Sequence, residues 1–156
     1  MRRIFVLILA AGVLAGSAVP SQASRPIITH SGPFEAVIPF PHVCSFPLTA
    51  TVRGSTHSIT FVDASGNPTR GFAGGRLSVA WTRDDTRSTR TFAIAGPTFF
   101  DAAGNAIRGA GGWTTPMVGT GWVLAHGNLT FNGLEDGFPL ISSMRGHAVS
   151  ICDLMS

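Results

Sequence analysis

Residues 76–83 read RLSVAWTR, and the alternation in this stretch decides the fold class. Leu77, Val79 and Trp81 fall on one side of an extended chain, while Arg76, Ser78, Ala80 and Thr82 fall on the other. A period of two is what a half-buried strand requires. Working outward, LTATVR (48–53) puts Leu48, Ala50 and Val52 on one face, and SITFVD (58–63) groups Ile59 with Phe61. RTFAIA (90–95) groups Phe92 with Ile94, and GWVLAHGNLTF (121–131) groups Trp122 with Leu124 and Leu129 with Phe131. HAVSICDL (147–154) sets Val149 and Ile151 against Ala148, Ser150, Cys152 and Leu154 as a last strand. Gly, Asn, Asp and Pro separate these runs, RGST (53–56) reads as a turn, and no stretch of eleven residues beyond the N-terminus shows helical periodicity. The expectation is an all-β, antiparallel domain of about seven to nine strands, either an up-and-down barrel or a sandwich.

The N-terminus does not follow this pattern. Arg2 and Arg3 precede a mostly apolar run from Ile4 to Val19, and Ser21-Gln22-Ala23 supplies the small-x-small pattern of a cleavage site. At ~1.5 Å per residue the run spans roughly 24 Å, short of the ~30 Å hydrocarbon core. Residues 1–23 are therefore read as a signal peptide, and the mature chain as secreted, extracellular and without a stable membrane anchor. Removing Arg2 and Arg3 leaves nine basic residues against eight acidic ones, a net charge of about +1. That balance leaves no broad basic field for nucleic acid. Residues 24–42 hold Pro26, Pro33, Pro39 and Pro41 and read as an irregular arm with a short edge strand at 35–38. Residues 43–156 read as a single β domain.

The chain holds two cysteines, Cys44 and Cys152. In an oxidising compartment they have one intramolecular pairing, which closes a loop of 152 − 44 = 108 residues. A chain-entropy argument gives such a bridge at most about 4 to 5 kcal/mol. Neither the C-x-x-C spacing of a redox pair nor that of a zinc site is present, so the pair reads as a staple of the two chain ends.

FVDASGNPTRGFAGG (61–75) recurs as FFDAAGNAIRGAGG (99–112). Asp63 and Asp101 can each cap a turn, and Gly66 and Gly104 can take positive φ, so the echo reads as one hairpin loop used twice. A calcium loop would need further carboxylates, and the second copy has Ala103 at a ligand position. His30, His42, His57, His126 and His147 show no metal-ligand spacing, and neither a metal nor another cofactor is expected. G-x-S-x-G is absent, and Glu35 and Glu135 are the only glutamates. Arg83, Arg87 and Arg90 surround the Asp84-Asp85 turn and form a candidate contact for an anion. Trp81, Phe92, Trp113, Trp122 and His126 are candidates to line a ligand cavity.

GTGWVLAHGNLTF (119–131) resembles the eight-stranded barrel of allene oxide cyclases and dirigent proteins. Gly119, Thr120 and Gly121 match its G-T-G, while Ala125-His126-Gly127 comes one residue early for its Ala-x-Gly. More of the chain is similar to small secreted all-β proteins of actinobacteria with no assigned activity. Cys44, TATVRG, FVDASGN, FFDAAGN and SICDLMS carry that resemblance. The expected function is a secreted, non-enzymatic binding or cell-envelope-associated module, its partner a glycan or another envelope component. The alternative is a barrel that carries a small apolar ligand, or a cyclase- or isomerase-like enzyme built round the aromatic-lined cavity.

Overall fold

The computed structural model describes residues 25–156, so the signal segment at 1–23 lies outside the described residues. The strands are β1 (Ile27–His30), β2 (Phe34–Phe40), β3 (Leu48–Val62), β4 (Pro68–Arg83), β5 (Thr89–Ala93), β6 (Thr98–Phe100), β7 (Ala106–Met117), β8 (Gly121–Glu135) and β9 (Phe138–Ser150). One short helix, α1 (Ile151–Met155), follows. All nine strands belong to one curled sheet in the order β1-β3-β4-β6-β7-β8-β9, with β2 also on β3 and β5 also on β4. Every pairing is antiparallel except a single parallel bridge, Met117 to Ile141. The fold is all-β, as the alternation requires.

Three local expectations are corrected. The arm is largely strand: β1 and β2 pair with the same edge of β3, and prolines are tolerated because the other side of these strands carries no ladder. RGST is not a turn, because β3 runs unbroken through it and Gly54 absorbs the bend at φ 148°. The last strand stops at Ser150, and Ile151 is buried as part of α1 instead. β7 shows little alternation, since glycine occupies positions 109, 111 and 112 on both of its faces.

The sheet parts on one side. β5 pairs only with β4, and β7 beyond Gly112 pairs with β8 alone until the single bridge at Met117. Into this parting pack Leu48, Ala50, Val79 and Trp81 from one side and Trp122 and Leu124 from the other, with Ile151 and Met155 of α1. Trp81 is fully buried, and Phe40 bridges the two indoles at ring-centroid distances of 5.1 and 4.6 Å. Alternate residues of β8, Val123 and Ala125, face a second core with Leu129, Phe131 and Ile141. β8 is thus buried on both faces from Trp122 to Ala125, which explains its unbroken apolar run.

A line of glycines lets one sheet enclose two cores. Gly111, Gly127 and Gly146 are register partners across β7, β8 and β9, and Gly96, in the link between β5 and β6, lies against Gly111. A Cβ built on Gly127 would stand 2.1 Å from the Arg145 carbonyl oxygen. No side chain fits there, and the sheet creases along that line. The disulfide joins Cys44, in the loop after β2, to Cys152 of α1, with Cα atoms 5.5 Å apart. It pins the helix that plugs the first core to the edge of the sheet.

Candidate functional site

Below the crease, β6, β7, β8 and β9 form a continuous sheet. Its register aligns Phe99, Arg108, Thr130 and Ser143 across the four strands. The next rung on the same face aligns Ala110, Asn128 and Arg145, with Pro97 accepting a hydrogen bond from the Ala110 amide. Residues two apart on a strand share a face about 7 Å apart, and neighbouring strands lie about 5 Å apart, so these side chains occupy one patch. The patch lines a concavity of about 680 Å³.

The electrostatics of this groove are one-sided. Neither rung contains a carboxylate, and among the described residues no ion pair engages Arg108 or Arg145. The Arg108 guanidinium instead lies 5.3 Å from the Phe99 ring centre. Asn128, Thr130, Ser143 and Arg145 are exposed. Two unpaired guanidinium groups among neutral hydrogen-bonding side chains and an aromatic face can hold an anionic, hydroxyl-rich ligand.

The Arg-bearing hairpin behaves differently. Arg83 is bound twice by Asp85, at 2.8 and 3.0 Å, and covers the Phe46 ring at 3.9 Å. That hydrogen-bonded pair lowers the pKa of Asp85 and raises that of Arg83. Arg87 takes a positive φ of 61° in the turn, and Arg90 lies opposite Trp81 in the ladder. The three cations are dispersed and one is already neutralised.

The aromatic candidates divide between the two cores. Trp81 and Trp122 touch edge to face at 5.8 Å, with Phe92 packed on their cluster. Trp113 packs on Phe131 in the other core, 5.0 Å between ring centres. Trp113 alone of the five lines the cavity of about 150 Å³ at the base of the parting, room for a molecule no larger than benzene. Thr114, whose buried hydroxyl has no hydrogen-bond partner, also lines it. His126 stacks on its register partner His147 at 5.3 Å.

Comparison of the chain with protein-family models, with curated proteins and with solved structures returns no match.

The repeated hairpins are turns held by their own aspartates. Asp63 Oδ1 accepts the amides of Ser65 and Asn67 at 2.8 and 2.9 Å, and Oδ2 accepts the Asn67 side-chain amide. Asp101 repeats the arrangement with Ala103 and Asn105. Oxygens so occupied by N–H donors have little capacity left for a cation, and among the described residues no three His, Cys, Asp or Glu side chains gather to hold a metal. These bonds hold both carboxyls below the usual aspartate range, chiefly through Asn67 for Asp63 and through Asn105 for Asp101. A depressed folded pKa gives stability that is complete above the unfolded value and is lost as pH falls through the folded one. A carboxyl NMR titration should therefore show both midpoints below ~3.9, with the loop amides losing protection from hydrogen exchange over the same range. Midpoints at or above that value would contradict the capping role.

Sequence reasoning missed Arg108, Arg145 and their neighbours. One signal was present: between Asp101 and Glu135 the only charged residue is Arg108. A cation so isolated has no local acid to pair with. That Arg145 joins it depends on the register of β8 with β9, which no local pattern encodes.

Proposed function

We propose that the protein is an exported, non-catalytic binding module, and that the groove over β6–β9 is its binding surface. The observation that carries this reading is the pair of unpaired guanidinium groups, Arg108 and Arg145, set among Asn128, Thr130, Ser143 and Phe99 in one concavity. Neutral polar side chains suit sugar hydroxyls, an aromatic face suits a sugar ring, and two guanidinium groups without ion pairs select acidic glycans over neutral ones. Export is supported by the N-terminal apolar run with its cleavage pattern and by the disulfide. No helix among the described residues is long and apolar enough to cross a membrane.

Immobilised acidic and neutral polysaccharides distinguish this reading. The chain should bind dextran sulfate and not dextran. Arg108→Ala together with Arg145→Ala should weaken the acidic interaction at least tenfold, because two cationic contacts to the polyanion are lost while no carboxylate is left unpaired. Arg83→Ala, in the neutralised hairpin, should leave it unchanged. Equal retention of charged and neutral polymers, or no loss in the double variant, would reject the groove.

A further inference from the structure

Two pairs of histidines face each other across strands: His30 with His57 on β1 and β3, and His126 with His147 on β8 and β9. The second pair is the closer, with ring centres 5.3 Å apart and planes inclined by 22°. It stands one rung beyond Asn128 and Arg145 of the groove, across the crease at Gly127 and Gly146, about 7 Å along the strands. His126 packs on Gly112 of β7: a Cβ built there would lie 3.0 Å from the His126 Cε1.

The charged side chains of β7 and β9, apart from His147, are arginines. β9 contributes Arg145 and β7 contributes Arg108, while Ala110, Gly112 and Thr114 of β7 carry no charge. α1 carries Asp153, which makes no ion pair with either ring. The segment that crosses Gly112 brings the Ala93 carbonyl oxygen to 2.9 Å from where a Cβ on Gly112 would stand.

We propose that the stacked pair His126–His147 is a proton switch on the groove, strengthening its hold on acidic polysaccharide under mildly acidic conditions. The proposal rests on the groove reading above and adds its regulation. Imidazole gains its charge between pH 8 and pH 5. Two imidazolium ions face to face beside Arg145 repel one another, and an anionic group laid over them removes that repulsion. Protonation and anion binding therefore favour each other, and by reciprocity each raises the affinity for the other. A neutral pair leaves the two arginines to bind alone.

Dextran sulfate is the suitable probe because its sulfates stay ionised across this range. At fixed ionic strength its affinity for the intact chain should rise at least tenfold between pH 7.5 and pH 5.5. The slope of log affinity against log salt should steepen by roughly one to two, about one per imidazolium engaged. His126→Asn with His147→Asn should retain the pH 7.5 affinity and lose the step. His147→Asn alone, at the exposed ring, should lose part of it and serves if the double variant fails to fold. His30→Asn with His57→Asn, at the far edge of the sheet, should keep the whole step. A step that survives undiminished in His147→Asn, or that disappears in the His30/His57 variant, overturns the assignment. Binding that is equal at both pH values overturns the switch and leaves the groove standing, whereas no binding at either pH removes the groove reading and the switch with it.

Discussion

Replacing both Cys44 and Cys152 by alanine is expected to lower the unfolding free energy by about 4 kcal/mol, close to the chain-entropy limit for a loop of this length. The bridge spans 108 residues, nearly the whole described domain. Its removal frees the denatured chain to expand and also releases α1 from the sheet edge. Ile151 and Met155 of that helix are buried against Trp81 and Trp122, so fraying the helix opens the first core at its end. Small domains have ~5 to 15 kcal/mol in total, so the variant should sit near the threshold of folding. Urea denaturation should show a lower midpoint together with a larger m-value, since an uncrosslinked denatured state exposes more surface. A loss below about 1 kcal/mol would mean that the bridge decorates an already closed fold.

Gly127→Ala should be as damaging, through a different mechanism. Gly127 has φ 140°, and its missing Cβ would lie 2.1 Å from the Arg145 carbonyl oxygen and 2.9 Å from the Gly146 Cα. Those atoms belong to the paired backbone of β9 and cannot rotate away as a side chain would. Relief requires breaking the β8–β9 ladder at the crease, at a cost of about 4 kcal/mol or more. Gly66→Ala is the matched control. Its φ of 85° is also unfavourable for alanine, but nothing lies within 4 Å of the new Cβ. Only the backbone strain remains there, about 1 to 2 kcal/mol. Comparable losses at the two positions, measured by thermal or urea unfolding, would show that backbone conformation and not close approach governs the crease.

The crease also explains where the sequence could be read and where it could not. RLSVAWTR announced β4 because each inward side chain is apolar and each outward one polar or small. In AIRGAGGWTTPM the echoed hairpin marks where β7 starts, but glycine at positions 109, 111 and 112 leaves no alternation to mark its length. RGST was taken for a turn for the same reason: Gly54 bends β3 without ending it. The prolines of the arm implied irregular chain, yet an edge strand needs a ladder on one side only. At the C-terminus alternation continued past Ser150, and a single turn of helix took over where the chain had to cross the end of the core.

The candidate site divides in the same way. Arg83, Arg87 and Arg90 are adjacent in sequence, and for that reason Asp85 is close enough to neutralise one of them. Arg108 and Arg145 are far apart in sequence and come together through two ladders. Trp81 and Trp122 share a core because the sheet parts and folds over itself, while Trp113, only nine residues before Trp122, faces the other core.

By itself the sequence determined the β class, the two echoed turns and the single possible pairing of its cysteines. Each follows from short-range chemistry: a period of two, an aspartate two and four residues from the amides it caps, and an even count of two thiols. Tertiary structure alone decided that one sheet encloses two cores, that Arg108 and Arg145 share a groove, and that His126 stacks on His147 beside it. Those arrangements depend on register, set by loop lengths and a line of glycines acting across β7, β8, β9 and the β5–β6 link. A shift of one residue in any ladder would have turned each of these side chains to the opposite face.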